Sequence, residues 1–431
     1  MIPEIEKASA EAIKSFQEEK LQTLLGYLQD HSFYYQQVFK KHKIDISSIK
    51  TLEDLRQIPT TSKDQLQAYN DEFLCVPKNQ IIDYVTTSGT LGDPVTFALT
   101  DTDLNRLAYN EALSFACSGV TENDVLQLMT TMDRRFMAGL AYFLGARKLG
   151  TGIIRVGAGI PELQWDSIIK FKPTYLIAVP SFLLKLIEYA KHLDIDINKS
   201  GVKGVICIGE PLRNLDFSEN ALSQKITAEW DIKLYSTYAS TEMNTAFNEC
   251  EAQKGGHHHP ELIIAEILDD DENTVLEGEV GELTITTLGL EGMPLLRFKT
   301  GDMVQAHHGA CTCGRTTMRL GPVVGRKKQM IKYKGTTLYP PAMDNILNDF
   351  IAVDSYVIEI SHNSIGTDEI CIKIATDTPT EKLLIQIKDH FRAKLRVAPK
   401  IEFHDKKTIQ NLQFPAMSRK PVMVIDKRIK D

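Results

Sequence analysis

The feature that most constrains this chain is its alternation of short apolar runs with longer stretches of helical spacing. Val125–Met129, Gly152–Val156, Tyr175–Val179 and Val205–Ile208 read as buried strands. Met137–Leu149, Gln164–Phe171 and Ser181–His192 read as the helices that separate them. Such alternation implies crossover units and a mostly parallel sheet covered by helices. Upstream, Ala8–Leu28 and Phe33–Lys41 have helical spacing, Thr51–Asp54 resembles a helix start, and Ile81–Val85 and Val95–Leu99 read as strands. Asp101–Gly119 reads as a helix capped by Thr100 or Asp101 and stopped by Gly119. After Glu242 the character changes. Leu262–Leu268, Gly281–Thr287 and Leu295–Phe298 read as antiparallel strands with turn-rich connections. Beyond Arg326, strands Tyr356–Ile360 and Ile370–Ile374 accompany a helix over Glu381–Leu395. The expected class is α/β: a large N-terminal region over 1–326 with a β-rich portion, then a small α+β domain over 327–431.

Composition excludes several functions. The chain has 431 residues, too many for one ordinary core, and its 43% apolar content leaves ample surface to bury. Against 57 acidic residues stand 49 basic ones, a net charge of −8 that argues against nucleic-acid binding by counterion release. A local ring of amides and cations could still hold a polyanion such as ATP. Met1–Lys20 has no apolar signal core, and longer apolar runs such as Tyr175–Ala190 are broken by Pro180, Lys185 and Glu188. The seven cysteines do not form a secreted disulfide pattern. The expectation is a soluble cytoplasmic protein with neither nucleic-acid nor membrane partners.

Thr86–Pro94 joins two expected strands and contains Ser88, Gly89, Thr90 and Gly92. Short hydroxyls and glycine amides suit phosphate, which needs many closely approaching donors. Alone, the segment reads more readily as a surface turn. It is not a Walker loop, since no Gly-Lys-Ser/Thr follows. Further motifs follow in order: Tyr238-Ala239-Ser240-Thr241-Glu242, Arg297-Phe298-Lys299-Thr300-Gly301-Asp302, Gly325-Arg326 with Lys332–Gly335, and Lys420–Arg428. Taken with the loop, this order and spacing resemble the phenylacetate–coenzyme A ligase family of AMP-forming, adenylate-forming ligases, over nearly the whole chain.

The resemblance implies a two-step reaction. A carboxylate attacks the α-phosphate of ATP, giving acyl-adenylate and pyrophosphate; the thiol of coenzyme A then takes the acyl group and AMP leaves. It implies that Ser88, Gly89, Thr90 and Gly92 cradle the outer phosphates. Glu242 would hold Mg²⁺, Thr241 would contact the α-phosphate, and Tyr238, with Ser240 nearby, would stack on adenine. Asp302 would accept both ribose hydroxyls, with Arg326 near ribose and phosphate. Phe136, Met137 and Ala239 would line the acid pocket. Lys420 would neutralise charge between carboxylate and phosphate, and Lys328 would be the hinge of a mobile C-terminal lid. Singly, Glu242 reads as a helix-start acid, Asp302 as a turn residue, and Lys420 as part of a basic tail. Jointly these readings lose weight.

Cys250, His257, Cys311 and Cys313 supply three thiols and an imidazole, a set typical of structural Zn²⁺, and some members of the family carry ligands at matching positions. His258, His259 and His308 are also eligible. Cys75, Cys117, Cys207 and Cys371 read as small core residues. The sequence departs from the family at Asp93, where a lysine is usual, at Ala239, usually glycine, at Lys328-Gln329, often paired aspartates, and at Thr131–Gly139. In that last segment Arg134 and Arg135 do not suit an apolar pocket unless they face solvent. The acid expected is therefore an aryl or medium-chain one other than phenylacetate. Transfer to a separate acyl carrier protein or an amine, or adenylate binding with weak catalysis, are the alternatives. The resemblance also allows a homodimer.

Overall fold

Tyr175–Ala178 is buried at every residue and sits among parallel neighbours, as an uninterrupted apolar run requires. The computed structural model that contains it describes residues 2–87, 94–333, 336–363, 367–414 and 421–428. It divides into two units, Met1–Thr300 with Val304–Pro322, and Gly301–Met303 with Val323–Asp431.

In the first unit, Gly152–Arg155, Val125–Leu128, Tyr175–Ala178, Gly204–Ile208 and Lys233–Ser240 pair in that order, all parallel. The sheet then turns antiparallel. Lys233–Ser240 pairs with Thr245–Glu249, which pairs with Gly256–His257, and the order continues through Arg319–Leu320, Phe298–His307, Val280–Thr287 and Ile263–Leu268. The sheet is thus mixed: parallel where apolar runs alternate with helices, antiparallel beyond Ser240.

A helix over Asp101–Cys117 fixes the junction. Thr100 and Asp103 form a reciprocal capping box at its start. Its buried residues include apolar ones such as Leu107, Leu113 and Phe115, but a polar stripe runs beside them. Asp103 accepts the backbone amides of Glu291 and Gly292. Arg106 donates to three backbone carbonyls, those of Asn244, Leu262 and Leu288. Asn110 accepts from Thr245 Oγ1 and the amide of Ala246, and Ser114 Oγ accepts from Asn248 Nδ2 at 2.6 Å. These residues recur at helical spacing, so one stripe of the helix is bonded to the turns and strands beside it.

The helix Met137–Leu149 packs on the same element. A Cβ at Gly145 would lie 2.3 Å from Glu111 Cβ, so only glycine allows this approach. It ends at Gly150, whose φ of 86° supplies the left-handed cap.

Two sequence expectations fail locally. Leu295–Phe298 is not a strand; the strand is Phe298–His307. Arg297 has a φ of 46°, and the amides of Leu295 and Leu296 bond to Thr287 Oγ1 and the Tyr35 hydroxyl. These residues are apolar and buried without being extended, so their composition imitates a strand. The helix start at Thr51–Asp54 is only a 3₁₀ turn over Glu53–Gln57.

In the second unit, Lys400–His404, Asp368–Ala375, Ser355–His362 and Val424–Asp426 form a sheet in that order. Helices Pro340–Asn348 and Glu381–Leu395 cover it, sharing a core that includes Met343, Ile358, Ile372 and Phe391.

Glu111 is buried and takes a hydrogen bond from Asn110 Nδ2; desolvation raises its pKa from 4.5 to about 7. A carboxyl raised on folding favours the folded state fully below pH 4.5 and loses that advantage as pH rises through 7. Glu111→Gln should therefore flatten the fall in stability between pH 5 and 8, a difference of up to about 3 kcal/mol, read from urea midpoints. Gly145→Ala should cost about 1–3 kcal/mol and lower the Tm by several degrees, read by calorimetry at fixed pH.

Candidate functional site

The strands Lys233–Ser240 and Thr245–Glu249 form a hairpin whose turn carries Thr241 and Glu242. Glu242 is therefore a hairpin-turn acid, not a helix-start acid. The turn is shaped locally: Asn244, at a φ of 50°, donates from Nδ2 to the Thr241 carbonyl, and Met243 N donates to Ser240 Oγ. Glu242 is 9% exposed and pairs with Lys63 Nζ at 3.2 Å. Lys63 opens the short helix Lys63–Ala68, and no sequence motif pointed to it. A mostly buried carboxylate facing a cation is a hard oxygen donor of the kind Mg²⁺ prefers. Tyr238 lies across from Phe247, ring centroids 6.1 Å apart, and is half-buried; Ala239 is exposed.

Phe136 is half-buried and Met137 buried at the start of the helix Met137–Leu149. Arg134 and Arg135 are exposed with φ near 59° and 58°, so both face solvent. The phosphate-loop residues Ser88, Gly89, Thr90 and Gly92, together with Asp93 and Lys420, lie outside the described residues.

In the second unit, Asp302 and Arg326 sit opposite each other in antiparallel register, and Arg326 Nε lies 3.3 Å from Asp302 Oδ1. Lys328 is exposed in a 3₁₀ turn over Lys327–Gln329, where its carbonyl accepts from Arg428 at 3.4 Å. Arg297, from the same motif as Asp302, is structural, being buried and donating to Glu266 and to the carbonyl of Ile58.

The cysteine–histidine set does converge. One ligand atom from each of Cys250, His257, Cys311 and Cys313 lies within 4.8 Å of the others. Cys250 Sγ is 3.6 Å from Cys311 Sγ, and Cys313 Sγ is 3.5 Å from His257 Nε2. These spacings suit Zn²⁺, since a tetrahedron with Zn–S of about 2.3 Å has edges of about 3.8 Å. They are too long for a disulfide. His257 Nδ1 bonds Thr317 Oγ1 at 3.2 Å, which leaves Nε2 for a metal. Burial and the Arg315 charge bring the His257 pKa down to about 3, keeping the imidazole neutral. Of the other eligible histidines, His258 bonds the Ile263 carbonyl, His259 bonds Glu6, and His308 is exposed. Cys117 packs against this cluster, and Cys371 is partly exposed, contrary to its reading as a core residue.

The hairpin acid Glu242 and the Asp302–Arg326 pair both belong to the motifs that carry the resemblance to adenylate-forming ligases. The fold agrees. A structure of 2-hydroxyisobutyryl-CoA ligase, in complex with an acyl-AMP in its postadenylation state, superposes with a TM-score of 0.86 at 22% identity, covering 99% of this chain and 92% of that one. Residues 19–291 match the family model described as AMP-binding enzyme, and the chain belongs to that family. A phenylacetate-coenzyme A ligase of Thermus thermophilus is 29% identical over 88% of this chain and 84% of its own length. That of Escherichia coli K12 is 26% identical over 86% and 84%. Among the described residues, no helix is long and apolar enough to cross a membrane.

Proposed function

We propose that this chain is an AMP-forming acid–thiol ligase that joins an organic acid, preferentially aryl, to coenzyme A through an acyl-adenylate. The observation that carries the reading is the similarity to phenylacetate-coenzyme A ligases along most of the chain, coupled with the motif order around Glu242 and Asp302.

The first step brings a carboxylate to a polyphosphate, so the chemistry is dominated by repulsion between anions. Ser88, Gly89, Thr90 and Gly92 take the outer phosphates and Thr241 the α-phosphate. Glu242 holds Mg²⁺, which supplies charge neutralisation at the phosphate oxygens when bound. Lys63 brings an ammonium to the same carboxylate. Tyr238 and Ser240 position the adenine, while Asp302, held by Arg326, takes the ribose hydroxyls. Phe136, Met137 and Ala239 bound the acid. Lys328 is the hinge about which residues 327–431 exchange Lys420 for the thiol between steps. Reduced cysteines fit a cytoplasmic setting.

Lys420 carries the largest expected effect. An ammonium about 4 Å from the reacting charge is worth roughly 4 kcal/mol at an effective dielectric near 20. Lys420→Ala should slow adenylation by about 10²–10³-fold, read as pyrophosphate release, and slow thioester formation from preformed acyl-adenylate much less. Equal losses in both half-reactions would remove Lys420 from this role. Pyrophosphate release across a panel of aryl and medium-chain acids, with coenzyme A, a phosphopantetheinylated carrier or an amine as acceptor, tests the reaction itself. Release that stays at background with every acid rejects the ligase reading.

The Cys250, His257, Cys311 and Cys313 set holds structural Zn²⁺, stapling the excursion after the hairpin to the strands near residue 307. Elemental analysis of untagged protein should give one zinc per chain, reduced to background in Cys311→Ser with Cys313→Ser.

A further inference from the structure

Three thiolates and a neutral imidazole around a divalent cation leave one net negative charge, here in a buried place: His257 is fully buried and Cys250 is 2% exposed. A buried net charge is costly without a partner. The partner is Arg315. Its Nη1 lies 3.6 Å from Cys313 Sγ, and the side chain is 2% exposed. Its own backbone carbonyl accepts the amide of Cys311, closing the Cys311–Arg315 turn. Its Nε donates at 2.6 Å to Glu6, 309 positions away.

Glu6 is fully buried and belongs to the N-terminal 3₁₀ turn Glu4–Lys7. Its second oxygen contacts His259 Nδ1. The backbone is tied too: the Thr316 amide donates to the Glu6 carbonyl, and Thr316 Oγ1 to the Ala8 carbonyl at 2.6 Å. The N-terminal turn therefore rests on the cysteine turn through one buried arginine and one threonine. Among the described residues, Arg315 Nη2 and His259 Nε2 have no hydrogen-bond partner. Arg315 Nη2 is thus a buried donor left unpaired beside the thiols.

We infer that metal occupancy and docking of the N-terminal segment are one coupled equilibrium, with Arg315 and Glu6 as positioning residues that transmit it. This rests on the zinc reading above. Linkage makes the coupling reciprocal: the metal protects the segment, and the segment tightens the metal. Outer-shell partners of ligands typically change metal affinity 10- to 100-fold when removed.

The test uses the full chain. Hydrogen exchange of the amides of Glu6, Ala8 and Thr316 is followed with zinc bound and after chelation, and zinc affinity is measured by competition with a chromophoric chelator. Chelation should raise exchange at these amides at least about tenfold. Glu6→Gln should weaken zinc 10- to 100-fold, and the exposed Glu4→Gln should leave it unchanged. If wild type binds zinc but its N-terminal exchange is the same after chelation, this inference alone is overturned. It is overturned equally if Glu6→Gln binds zinc as tightly as wild type. If wild type binds no zinc, the metal reading falls and takes this inference with it. Should Glu6→Gln fail to fold, the wild-type chelation experiment decides.

Discussion

The buried polar stripe of the helix Asp101–Cys117 is the constraint on which the rest of the first unit depends. A sheet that changes from parallel to antiparallel has no repeating crossover to hold its junction. Here the junction is held by side chains bonded to backbone. Asp103 and Arg106 fix the connections around residues 244, 262 and 288–292, while Asn110 and Ser114 fix the strand Thr245–Glu249. Such groups are stabilising only when fully satisfied, and a partly satisfied set would cost more than an apolar one. The hairpin carrying Glu242 inherits its position from this stripe, and so does Cys250, one residue past the same strand.

How much of this was legible in the sequence depended on the kind of signal. The parallel strands were legible because burial on both faces leaves an uninterrupted apolar run, as at Tyr175–Ala178. The ordered motifs pointed to the family, and the resemblance, more than the cysteine spacing, picked out a set that does converge. The polar stripe was not legible, because Asp103, Arg106, Asn110 and Ser114 have the composition of a solvated helix face. Nor was Lys63, whose only distinction is the carboxylate 179 positions away that it meets in space. Leu295 and Leu296 misled for the opposite reason: they are apolar and buried, but their amides are bonded to side chains.

The motif residues also separate into those that could touch a ligand and those that hold the frame. Arg297 lies five residues before Asp302 in one motif, yet its guanidinium is spent on Glu266 and a carbonyl. A buried arginine of this kind anchors the entry to the strand that carries the second unit's acid–arginine pair. Sequence similarity alone does not distinguish the two roles, whereas burial and partners do.

Cys250 follows directly on the strand that descends from the Glu242 turn, and its sulfur lies 3.6 Å from that of Cys311. Both thiols are buried, so an oxidant reaches the pair only when the fold opens around it. Covalent closure between these sulfurs would then remove two of the four converging ligands and pull on the hairpin from its base.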